Sequence, residues 1–146
     1  MSNNQLCSSD KNGETPLHDA IRGGGHLEVF KLIMNSIENK NPPNQFGETP
    51  LHKAANFRYP EICKFILENV EDKDKNVPNI HGDTPLFHAV NREYPDICQI
   101  FYDHGIEDDD RIKNLKERRA KLQKIIEDFR NSCEVDENYT EQDWFL

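Results

Sequence analysis

At 146 residues the chain has the length of one ordinary domain. With 35% hydrophobic and 31% charged residues it is lean in apolar content for one large spherical core, so a flatter shape or a disordered part fits better. Its formal net charge of −9 argues against broad nucleic-acid binding, because phosphates would be repelled.

No apolar run approaches the length of a membrane helix. The opening stretch "MSNNQLCSSDKNGE" has neither an apolar signal core nor an Arg-rich amphipathic pattern. The expectation is a cytoplasmic or nuclear protein that is not secreted. Cys7, Cys63, Cys98 and Cys133 lie far apart and form no C-x-x-C pair, which fits reduced thiols rather than a disulfide scaffold.

Residues 1–9 read as a flexible N-terminus. A nine-residue phrase then recurs: "DKNGETPLH" at 10–18, "NQFGETPLH" at 44–52 and "NIHGDTPLF" at 79–87. Thr15, Thr49 and Thr84 are 34 and 35 residues apart, a period that marks a stacked array rather than one globular core. In each copy a glycine (Gly13, Gly47, Gly82) can take the positive φ of a tight turn. The threonine suits a helix N-cap. Pro16, Pro50 and Pro85 suit the first helical position, where a missing N–H costs nothing. Leu17, Leu51 and Leu86 begin an apolar face, and the small Ala20, Ala54 and Ala89 let neighbouring helices approach.

A second helix is predicted in each copy, over "LEVFKLIM" (27–34), "PEICKFILENV" (60–70) and "PDICQIFYDH" (95–104). Ile62, Phe65 and Ile66, and likewise Ile97, Ile100 and Phe101, have the i, i+3, i+4 spacing of a buried stripe. The units are bounded at about 10–43, 44–78 and 79–107.

The phrase G-x-T-P-L-H-x-A, followed by "GHLEVFKLIM", resembles the ankyrin repeat, over about residues 10–107. The resemblance implies an all-α solenoid of three helix-turn-helix units joined by hairpin-like links. The sequence departs from the family pattern in places. "GGGH" (23–26) carries one extra residue. The link 70–79 is two residues longer than 37–44. "RYPE" and "EYPD" replace the usual Gly-His turn. Phe87 stands where the motif has His, which puts the tie made by that His in doubt in the last repeat.

The family binds partner proteins through its hairpin tips and the exposed side of its first helices. Carried onto this chain, those positions are Lys11, Asn12 and Glu14; Gln45, Phe46 and Glu48; Ile80, His81 and Asp83; then Arg22, Asn56, Phe57, Asn91 and Arg92. Phe46, Phe57 and Ile80 would form an apolar patch ringed by charge. Alternatively Phe46 folds back on its hairpin and Phe57 packs under a neighbouring turn.

After "GIEDDD" the repeat stops. Residues 108–133 read as a charged linker and a helix of about six turns over 111–133, with Asp110 as N-cap. Ile112, Leu115, Arg119, Leu122, Ile126, Phe129 and Cys133 follow a 3-4 spacing. Residues 111–130 hold eight basic and three acidic side chains, net +5, leaving −14 on the rest of the chain. Three readings stay open: a cap over the third repeat, a coiled coil pairing two copies through 111–133, and a basic recognition helix. Residues 134–146 form an acidic tail ending in Trp144, Phe145 and Leu146.

No spacing suits a metal, and no catalytic or cofactor motif stands out. His18 and His52 are motif positions, and Cys63 and Cys98 sit alike in successive second helices. Gly23, Gly24 and Gly25 lack the flanking strand and Lys-Ser/Thr of a phosphate loop. The expectation is therefore a non-enzymatic protein-interaction module, without cofactor or metal, acting as an adaptor or masking inhibitor. A monomer is favoured, and membrane and nucleic acid are not expected partners. The alternative is a self-assembling or nucleic-acid-associated protein acting through 111–130.

Overall fold

The computed structural model describes residues 8–132; Cys7, Cys133 and the tail 134–146 lie outside the described residues. The described residues form seven α-helices and no strand: α1 (Pro16–Arg22), α2 (Leu27–Asn35), α3 (Pro50–Asn56), α4 (Pro60–Asn69), α5 (Pro85–Asn91), α6 (Pro95–Asp103) and α7 (Asp110–Ser132). A 3-10 turn at Asp72–Asp74 takes up the added length of the second link. Two compact units result, one ending at Asp108 and one beginning at Asp109.

In the first unit the helices form two layers. The first helices stack α1 on α3 on α5, the second helices α2 on α4 on α6, and each first helix also packs on the second helix of its own repeat. Leu17, Ile21, Leu51, Ala54, Ala55, Leu86 and Ala89 are fully buried in the first layer, and Phe30, Ile62, Cys63, Ile66, Ile97 and Phe101 are all but fully buried in the second. The alanines are needed because two helices with larger residues there could not come so close.

The buried stripe of α4 is Ile62, Cys63, Ile66 and Leu67. Phe65, expected in the core, is half-buried, and the Lys31 ammonium lies 5.4 Å from its ring centroid. The i, i+3, i+4 template also fits Ile62, Phe65 and Ile66; packing of α4 against both α2 and α6 turns the stripe toward Cys63 and Leu67.

Each first helix starts as its local chemistry dictates. Gly47 has φ +73°, and a Cβ there would lie 3.1 Å from the backbone of Asn79, so both conformation and space require glycine. Thr49 precedes α3 in extended backbone and its hydroxyl accepts the His52 N–H, with Pro50 in the first turn. In "GGGH" the extra residue is absorbed by Gly24 and Gly25, at φ +119° and +64°. In the later copies Arg58 and Glu93 adopt φ +59° in the matching turns, a left-handed conformation that costs a non-glycine residue roughly 1–2 kcal/mol. An aromatic follows each of them. The Tyr59 ring lies against Gly25, leaving only 2.8 Å for a Cβ there, and Arg58 stacks over the Tyr94 ring at 5.2 Å.

Candidate functional site

The candidate surface is built on the turns before α1, α3 and α5. Asp10, Asn44 and Asn79 shape them. The Asn44 carboxamide oxygen accepts the Phe46 and Glu48 N–H groups at 2.9 and 3.0 Å, and Asn79 does the same for His81 and Asp83. Asp10 accepts from Asn12 and Glu14 at 2.8 and 2.9 Å. These three residues are absent from the sequence-derived site, although each opens its repeated phrase and is of the type whose side chain accepts from the N–H two residues on, an Asx-turn.

Two backbone bonds stitch the tips together. The Gln45 N–H donates to the Asn12 carbonyl and the Ile80 N–H to the Phe46 carbonyl, both at 3.0 Å. Phe46 and Ile80 therefore sit on adjacent tips, 46% and 63% exposed. Phe57 is 48% exposed at the C-cap of α3, with its ring centroid 6.4 Å from that of Tyr59. The seven residues of α3 separate Phe46 from Phe57 by about 10 Å along the helix axis.

The motif histidines lock the tips to the helices. The Thr49 N–H donates to His52 Nδ1 at 3.0 Å, so Nε2 carries the proton and donates to the Asp83 carbonyl of the next repeat at 2.9 Å. His18 makes the same pair of bonds, to Thr15 and to the Glu48 carbonyl. Burial is the chief reason the His52 pKa falls to about 4 and that of His18 also falls, so both rings are neutral at pH 7. Phe87 has no ring nitrogen, yet Thr84 still accepts its N–H at 3.1 Å. The helix cap survives in the third copy and the tie to a following tip does not.

A charged network runs along the same face. Glu14, expected as an exposed tip residue, is buried. Its carboxylate accepts from Asn44 at 2.7 Å and pairs with Lys53 at 3.2 Å and Arg22 at 3.1 Å. Burial pushes its pKa upward, but the Asn44 hydrogen bond and the Lys53 charge outweigh this and leave it below the ordinary value. Glu48 continues the chain, 3.4 Å from Lys53 and 3.7 Å from His88. Arg92 donates to the Asn56 carboxamide at 3.0 Å across two repeats. His81 and Asn91 are exposed, and Asp83 is half-buried behind its tip.

Among the described residues no group of three or more His, Cys, Asp or Glu is placed to hold a metal ion, and no helix is long and apolar enough to cross a membrane. Burial pushes the Cys63 thiol far up its scale, which leaves it inert packing.

The family described as "Ankyrin repeats (3 copies)" matches residues 25–112. This chain belongs to it. Among curated proteins, this chain is 36% identical over 64 residues to protein phosphatase 1 regulatory subunit 12A of Mus musculus, covering 44% of this chain and 6% of that protein. It is 30% identical over 69 residues to protein phosphatase 1 regulatory subunit 27 of Homo sapiens, covering 47% of this chain and 44% of that protein. A putative ankyrin repeat protein of Acanthamoeba polyphaga mimivirus is 30% identical over 76 residues, 10% of its length. The chain thus spans less than half the length of each of these relatives.

Proposed function

We propose that this protein is a non-enzymatic interaction module that binds a partner protein through the tips and first helices of its ankyrin repeats, as an adaptor or masking inhibitor. The repeats, together with relatives named as regulatory subunits, support a protein-interaction role. The observation that carries the reading is the exposure of Phe46, Phe57 and Ile80 beside helices whose motif leucines and alanines are packed away. The contact positions are Gln45, Phe46, Glu48, Asn56, Phe57, Ile80, His81, Asp83, Asn91 and Arg92. The arrangement supports a partner segment that spans the length of α3, set at one end by Phe46 with Ile80 and at the other by Phe57. Exposed aromatic anchors of this kind dominate interfaces, each worth about 2 kcal/mol or more on truncation.

The phosphatase that the relatives' names carry is a first partner to try. Capture from extract and direct binding to protein phosphatase 1 should both be measured, with wild-type protein and with Phe46→Ala/Phe57→Ala. A captured partner lost by the double variant, with an unchanged melting curve, supports the site. A partner retained by that variant and lost by Arg119→Glu/Lys121→Glu moves the site to α7.

A further inference from the structure

Helix α7 presents Leu122, Ile125, Ile126 and Phe129 at 58%, 63%, 44% and 69% exposure. At about 100° per residue these four fall within one arc of roughly 100°. The described part of the unit that begins at Asp109 consists of this helix and its entry, so that unit offers no second element to cover them.

The charges beside the stripe have one sign. Arg118 lies about 30° and Arg130 about 90° from its centre, whereas Asp128, Glu117 and Glu127 lie about 110°, 130° and 150° away. Lys121 is drawn to the outer side by Glu117, 2.8 Å from it. In the 3-4 register the positions bordering the seam hold Arg111, Lys116, Arg118 and Arg130 and no acid. Two copies laid together in either orientation would set cation against cation, which opposes self-pairing. A nucleic acid would answer the cations but leave four large apolar side chains in water. An acidic amphipathic helix meets both demands, since its apolar positions cover the stripe and its flanking carboxylates face the arginines.

We propose that α7 is a docking surface for an acidic amphipathic helix of a second protein. This goes beyond the repeat surface and does not rest on it; together the two would let one chain bridge two partners.

The test titrates the full chain, at physiological salt, into a labelled three-heptad peptide with Leu at the seam positions and Glu at both flanks. The Glu flanks keep the peptide from pairing with itself. One control peptide keeps the Leu seam with Lys flanks, and another keeps the Glu flanks with a Ser seam. Saturable one-to-one binding of the acidic Leu peptide, at least tenfold tighter than either control by anisotropy, is expected. Leu122→Ser/Phe129→Ser should weaken it tenfold or more with helix content unchanged by circular dichroism. Arg118→Glu/Arg130→Glu should weaken it and admit the Lys-flanked peptide. Absent binding, equal binding of all three peptides, self-association at tens of micromolar, or tighter binding to phosphatidylserine vesicles or duplex DNA would each overturn the proposal.

Discussion

The repeat unit and α7 use apolar residues in opposite ways. In the repeats each first helix is only seven residues long, too short to persist alone in water, and owes its existence to burial between neighbours. Helix α7 has 23 residues, a defined cap and an outer ion pair, while four of its large apolar residues stay exposed. A stripe that holds a fold together and a stripe that is available to another molecule can share the same spacing. Only the neighbours distinguish them.

Substitution of leucine probes this contrast most severely. Leu51 is fully buried, and Leu51→Ala should cost about 3–4 kcal/mol, enough to unfold much of a short array in a thermal melt. Leu122→Ala, an exposed change of the same chemistry, should stay within about 0.5 kcal/mol. Equal losses would erase the distinction between the two stripes.

Acid should separate the regions next. Burial holds His52 at about 4 against an ordinary 6.5, so the unfolded chain takes up its proton first as pH falls. The stability owed to the neutral ring is complete above about pH 6.5 and is lost on the way down to about pH 4, roughly 2 kcal/mol between pH 7 and pH 5. Residues 109–132 contain no histidine, so α7 lacks this response. Denaturant melts at the two pH values should show the repeats weakening; a pH-independent midpoint would contradict a buried neutral His52.

Caps give a smaller, more local difference. Thr49→Ala should remove about 1 kcal/mol from the cooperative unfolding of the array. The cap of α7 is Asp109, not Asp110: its carboxylate accepts the Ile112 N–H at 2.8 Å. Asp109→Ala should fray the first turn of α7, seen as faster amide exchange at Ile112 and Lys113, and Asp110→Ala should do much less. The mildest effect belongs to the strained turn. Glu93→Gly, at φ +59°, should raise stability by about 0.5–1 kcal/mol in the same melts, against no gain from Gly47→Ala, which would clash.

Nine-residue phrases determined most of the fold. Turn glycine, capping threonine, first-turn proline and the leucine after it act over a few bonds, so Gly47, Thr49, Pro50 and Leu51 could be read without knowing what lay beside them. The 3-4 pattern of α7 was legible for the same reason. Tertiary structure decided whatever depends on residues about 30 positions away. It buried Glu14 under Asn44 and Lys53, aimed His52 at the Asp83 carbonyl, and turned α4 so that Leu67 entered the core and Phe65 did not. Local sequence specifies torsions and caps, whereas burial and charge pairing are properties of neighbours that only stacking brings together.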